Sequence, residues 1–235
     1  MGMKKILFVI PARSGSKGIK DKNIQKCGND TLLRMSVKQC LKLNLDADIY
    51  VSTDSQEYLN HVNDLIRNPP ILRPKNLSGD YVGDIDVLKH ALDTCQGFYK
   101  TDYSCIVMIQ PTSPLRKSKD ILGTINAVVN EGYDSSITCQ KVDKKYHPLK
   151  SLKINKKGFV DHFIDSPYEI IARQELESTY VRNGASYSIT PKQLLEGKTF
   201  FKCKSKLILT DSIVSIDNRD ELIYCEKILL KENSK

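Results

Sequence analysis

Ile6-Leu7-Phe8-Val9-Ile10-Pro11 runs directly into Ala12-Arg13-Ser14-Gly15-Ser16-Lys17-Gly18-Ile19-Lys20-Asp21-Lys22-Asn23. A buried apolar strand thus breaks into a loop of small and basic residues. Gly15 and Gly18 open backbone angles closed to other residues and let a ligand come close to the chain. Successive free N–H groups in such a loop form an anion-binding concavity. Arg13, Lys17, Lys20 and Lys22 add four charged donors within ten residues. The loop matches neither G-x-x-x-x-G-K-[ST] nor G-x-G-x-x-G, so the two commonest phosphate-loop classes drop out. What remains is a polyphosphate cradle of another kind.

Outward from this loop, strands and helices alternate. Thr31–Leu43 places Leu32, Leu33, Val37, Cys40 and Leu41 at helical spacing, with Lys38 and Lys42 outside. Ile49–Asp54 reads as a strand, Ser55–Arg67 as a helix stopped by Pro69-Pro70, and Ile71-Leu72 as a short strand. Asp84–Cys95 and Lys119–Asn130 read as helices, and Cys105–Ile109 and Ser135–Cys139 as strands. This alternation predicts an α/β fold with a twisted, mainly parallel sheet covered on both faces. Ligands in such sheets sit beyond the carboxyl ends of the strands. Ala12–Asn23, Ser52-Thr53-Asp54, Arg73 and Gln110–Arg116 are therefore expected along one edge. From about Tyr146 to Tyr180 the alternation breaks, with strand-like pieces at Leu152–Ile154 and Phe159–Phe163, which predicts a lid or a dimerisation arm. The core resumes with Gly184–Ile189 and Lys206–Leu209 and closes with a helix over Arg219–Lys231. Residues 1–235 are expected to form one domain.

Composition narrows the classes. With 40% apolar and 27% charged residues, the chain is globular. No stretch approaches the ~20 apolar residues of a membrane span. The run after Lys4-Lys5 is too short for a signal peptide, so a cytoplasmic location is expected. Seven scattered cysteines without a C-x-x-C pair fit free thiols in a reducing compartment and, with four dispersed histidines, argue against a zinc site. The net charge of +8 is not gathered into one arm, and Trp is absent. Both points argue against nucleic acid and leave a small polyanion as the partner of the loop.

The polar segments also fall into a known order. Ile10–Gly18 with Lys22-Asn23 resembles the nucleotide-binding signature of the CMP-sialic acid synthetases (acylneuraminate cytidylyltransferases). The resemblance continues through Ser52-Thr53-Asp54, Leu72-Arg73-Pro74 and Gln110-Pro111-Thr112-Ser113-Pro114-Leu115-Arg116. Further along it includes His147-Pro148-Leu149-Lys150, Arg173-Gln174, Arg182-Asn183-Gly184-Ala185 and Ser215-Ile216-Asp217. It spans nearly the whole chain. It implies a Rossmann-like nucleotidyltransferase domain that moves CMP from CTP to the anomeric hydroxyl of a 2-keto sugar acid and releases pyrophosphate. It also implies Mg²⁺, with Mn²⁺ as a substitute, and a homodimer joined through the 146–180 excursion.

By the same resemblance, Ala12, Arg13, Ser16, Lys17, Lys22, Asn23, Arg73 and Asp84 bind the nucleotide, with Lys22 near the α-phosphate. Gln110, Thr112, Ser113, Lys150, Arg173, Arg182 and Asn183 take the sugar acid. Arg13, Lys22 and Arg173 supply catalytic charge, Asp217 holds the metal, and Lys150 or Arg173 completes the partner's site. Three positions depart from the family pattern. Ser215 stands where the first carboxylate of Asp-x-Asp is usual, Asp84 where many relatives have serine, and Arg182-Asn183 lacks an intervening proline. A Kdo-type acceptor and a nucleotide-binding protein without catalysis remain alternatives.

Overall fold

The opening apolar run forms β1 (Lys5–Pro11), with Leu7–Ile10 fully enclosed, as a central strand requires. The computed structural model describes residues 5–164, 176–211 and 214–233. After the basic loop, a small hairpin of β2 (Lys26–Cys27) and β3 (Asp30–Thr31) leads into α1 (Leu32–Lys42). The Thr31 hydroxyl caps α1 by accepting the Arg34 N–H at 3.3 Å. β4 (Ala47–Ser52), α2 (Gln56–Asn60), α3 (Asp84–Tyr99), β5 (Tyr103–Met108), α4 (Ser118–Val129) and β6 (Ser135–Lys141) follow. An exposed hairpin of β7 (Leu152–Ile154) and β8 (Val160–His162) precedes β9 (Tyr180–Ile189), β10 (Ser205–Leu209) and α5 (Arg219–Asn233).

The main sheet runs β10-β6-β9-β5-β1-β4. Its β1–β4, β1–β5 and β6–β10 pairs are parallel, and β9 lies antiparallel between β5 and β6. The mainly parallel α/β sheet expected from the sequence is the fold found. Because side chains alternate along a strand, β1 feeds both layers. Phe8 and Ile10 pack with α1, α2 and α4, while Leu7 and Val9 pack with α3, Tyr187 and Phe200. A third cluster of Ile19, Cys27, Leu32, Ile216, Leu222 and Cys225 clamps α5 onto the start of the chain. That clamp brings residue 216 back to the basic loop.

Two expected elements differ. The helix over Ser55–Arg67 shortens to α2, and the chain continues in turns. Arg34 takes the His61 carbonyl at 2.6 Å and grips Asp64 with both guanidinium nitrogens at 2.6 and 2.8 Å. These bonds engage a carbonyl that a continuing helix would need. Ile71-Leu72 forms no strand: both side chains are exposed, and the segment is held by Tyr50 Oη on the Ile71 carbonyl at 3.2 Å. The strand expected from Gly184 begins four residues earlier, at Tyr180.

Candidate functional site

The loop after β1 is pinned at three points. The Ala12 N–H donates to the Ser52 carbonyl at 2.9 Å. The Ser14 N–H and hydroxyl both reach Asp54, at 2.7 and 2.8 Å. The Asn23 amide donates to the Arg13 carbonyl at 3.0 Å. Burial alone would raise the Asp54 carboxyl pKa, but the two Ser14 donors hold it below the usual carboxylate range. Gly15 sits at φ +68°, in the left-handed region. Gly18 serves a different need, because a Cβ there would lie 2.5 Å from the Asp217 carbonyl oxygen.

A cleft of about 230 Å³ opens beside this loop, at the carboxyl ends of β1 and β5. Pro11, Arg13, Ser16, Lys22 and Asn23 form one wall. Arg73, Leu77, Gly79, Asp80, Val82, Asp84 and Val87 form the second, and Gln110, Pro111 and Thr112 the third. Lys22 is mostly buried and donates to the Ile216 carbonyl and to Asp217, both at 3.0 Å. Arg73 is 5% exposed, and its Nε and Nη2 have no hydrogen-bond partner. Its main chain is fixed by a 2.7 Å bond from its N–H to the Thr53 carbonyl. Burial lowers the Arg73 pKa, and a guanidinium held this way is a receptor awaiting an acceptor. At the first residue of α3, burial raises the Asp84 carboxyl pKa against the opposing charge of Arg182.

The third wall is held from behind. Arg116 is buried and donates to Gln39 at 2.6 Å, to Ser36 at 3.2 Å and to the Gln110 carbonyl. Burial pushes its pKa down to about 10. Opposite Gln110, β9 carries extra residues: Ile137 pairs with Tyr187 but Cys139 with Arg182. Gly184 lies in this bulge at φ +70°, where a Cβ would run into the Gln110 side-chain amide.

Of the residues singled out from sequence, Arg13, Ser16, Lys22, Asn23, Arg73, Asp84, Gln110 and Thr112 line this one cleft. Lys17 stands just outside and is joined to it through Asp80, at 2.6 Å. Ala12 is buried in the core. Ser113 and Asn183 are buried as well: the Ser113 hydroxyl donates to the Asn183 carbonyl at 3.0 Å, and the Asn183 amide to Thr210 at 2.8 Å. They brace the bulge behind Gln110. Lys150 and Arg182 are exposed and outside the cleft wall. Arg173 lies outside the described residues.

Sequence reasoning passed over Asp80, which takes the Arg13 guanidinium and the Lys17 ammonium at 2.6 Å each. It also passed over the apolar strip of Leu77, Val82 and Val87. The available signal was an acidic residue between Gly79 and Gly83, immediately before a helix. For a metal, the donor set is narrow. Asp217 is exposed and faces the cleft lysine, whereas Asp211 is drawn to Lys117 at 2.7 Å and Lys119 at 3.7 Å. No group of three or more His, Cys, Asp or Glu side chains converges among the described residues. One carboxylate suits Mg²⁺, which commonly completes its shell with phosphate oxygens and water.

Known proteins resemble this chain in sequence and in fold. The chain is 28% identical to the N-acylneuraminate cytidylyltransferase of Escherichia coli O18:K1:H7 over 94% of its own length and 50% of the relative's. It is 28% identical to the CMP-N,N'-diacetyllegionaminic acid synthase of Legionella pneumophila, over 96% of each chain. The chain spans about half the length of the first of these relatives. Its fold superposes on a CTP complex of CMP:2-keto-3-deoxy-manno-octonic acid synthetase with a TM-score of 0.71 at 14% identity, covering 97% of this chain and 99% of the other. The profile of the cytidylyltransferase family matches residues 7–163. Carrying that match over most of its length, the chain belongs to the cytidylyltransferase family.

Proposed function

We propose that residues 1–235 act as one unit that transfers CMP from CTP to a sialic-acid-like 2-keto sugar acid of the N-acylneuraminate, legionaminate or pseudaminate type. The observation that carries this reading is the meeting of Arg13, Lys22 and the unpartnered Arg73 in one cleft with Gln110 and Thr112. The three cations face the nucleotide and its phosphates, and the amide and hydroxyl face the polyhydroxyl acceptor. The anomeric oxygen attacks the α-phosphorus in line, the bond to the bridging oxygen breaks, and pyrophosphate leaves while the hydroxyl proton passes to water. Lys22 and Arg13 neutralise charge developing on the phosphoryl oxygens, with no reorganisation needed at the moment of reaction.

Asp217 would hold Mg²⁺, or Mn²⁺ in its place. When bound, the ion supplies Lewis-acid neutralisation of phosphoryl charge. Arg73 and Asn23 fix the nucleoside end, and the Leu77, Val82 and Val87 strip excludes water from it. The exposed apolar hairpin carries Leu152, Ile154, Phe159 and Val160 at 62–78% exposure, which supports a homodimer through this arm. Lys150 and Arg173 fall within the 146–180 excursion by sequence and would act on the sugar carboxylate of the neighbouring subunit. No helix among the described residues is long and apolar enough to cross a membrane, and the free cysteines fit a cytoplasmic setting.

The test is pyrophosphate release from CTP and Mg²⁺ with a panel of neuraminate-, legionaminate-, pseudaminate- and Kdo-type acids. Release with one of the first three supports the proposal. Release with the Kdo-type acid alone reassigns the acceptor, and CTP binding without release from any acid contradicts the activity.

A further inference from the structure

Two cations of the basic loop, Arg13 in the cleft wall and Lys17 just outside it, are both held by Asp80, each at 2.6 Å. Asp80 lies on a short strip, Gly79-Asp80-Tyr81-Val82-Gly83, that forms part of the cleft wall. Apart from these two pairs, the hydrogen bond of residues 79–82 among the described residues is local, from the Val82 N–H to the Gly79 carbonyl at 3.4 Å. Tyr81 projects fully into solvent, and Gly83 has open space on its side-chain face. The strip is thus fastened to the basic loop by one carboxylate.

We propose that Asp80 is an internal stand-in for phosphate, a latch that a triphosphate displaces to release residues 79–83 as it binds. The inference rests on the reading of this cleft as a polyphosphate site and adds a specificity residue to it. A carboxylate and a phosphate compete for the same guanidinium and ammonium donors. A triphosphate carries several negative charges against the single charge of Asp80. Exposed ion pairs are individually weak, so the exchange is easy. The same pairs keep Arg13 and Lys17 oriented before the ligand arrives, and they favour a multiply charged anion over a singly charged one. Lys17 and Arg13 hold the Asp80 carboxyl below its usual range, so the latch stays charged throughout the neutral pH range.

The experiment titrates the full chain and its Asp80→Asn variant with inorganic tripolyphosphate by calorimetry, and follows hydrogen exchange of residues 79–83. The variant is expected to bind roughly threefold to tenfold more tightly, the scale of two exposed ion pairs. Exchange at 79–83 should rise in the native chain on adding tripolyphosphate, and should already be fast in the variant. Lys17→Gln, an exposed substitution that cuts one of the two pairs, should also speed exchange at 79–83 before any ligand is added. Equal or weaker binding by Asp80→Asn, or slower exchange in the native chain on binding, overturns the latch while leaving the polyphosphate site intact. Binding by neither protein overturns the site reading together with the latch.

Discussion

A buried guanidinium with unbonded nitrogens destabilises the chain that carries it when the loss of water outweighs the attraction of nearby charge, as burial outweighs Asp54 at Arg73. Arg73 is in that position, 5% exposed with two idle nitrogens in the cleft wall. The account therefore separates stability from binding at this residue. Arg73→Met should leave the melting temperature unchanged or raise it, by about 1 kcal/mol in stability, while the KM for CTP rises at least tenfold, roughly the worth of a charge-assisted contact. A melt and a CTP titration on the same preparation check both halves. A variant that is much less stable, with unchanged KM, would make Arg73 a structural residue. Arg73 was visible in the sequence only through the order of motifs around it, since an arginine before a proline is otherwise unremarked. Asp80 was not visible, because its pairing with Arg13 spans 67 positions and leaves no local pattern.

Local periodicity carried well wherever an element's own burial decides its form. The apolar spacing of α1 and the continuous runs of β1 and β5 are such cases, and the structure returns them within a residue or two. It failed at α2, where Arg34 from another helix takes the carbonyl and carboxylate of the expected continuation. The direction of β9 was also illegible, since its buried run Asn183–Ile189 reads alike whichever way it runs. Its bulge yields a prediction. Gly184 holds φ +70°, and its side-chain position is filled by the Gln110 amide. Alanine there adopts a left-handed conformation at a cost of about 1–2 kcal/mol, and its methyl group pushes Gln110 from its seat. Urea unfolding of Gly184→Ala should show that loss, and the KM for the acceptor should rise more than the KM for CTP. An equal rise in both would mean that Gln110 does not discriminate between the two substrates.

The molecule places its cleft at one edge of the sheet and a cluster of its most exposed apolar side chains on the β7–β8 arm. Leu152, Ile154 and Phe159 have no covering layer within the described chain. Sedimentation should therefore give a dimer that Phe159→Asp with Val160→Asp converts to monomer, and the monomer should keep CTP binding while losing turnover. A native chain that sediments as a monomer with full activity would remove the arm from the account. The edge itself was foreseen because polar segments after strands gather there whatever their separation in sequence. Its occupancy by an internal carboxylate required three dimensions. The central claim is that a sugar-acid hydroxyl in this cleft attacks the α-phosphorus of CTP, and the fate of the attacking oxygen tests it. With the anomeric hydroxyl labelled with oxygen-18, mass spectrometry of the product should find the label retained in the bond between sugar and CMP, with unlabelled pyrophosphate. Label appearing in water or pyrophosphate, or CMP released without a labelled conjugate, would contradict the account.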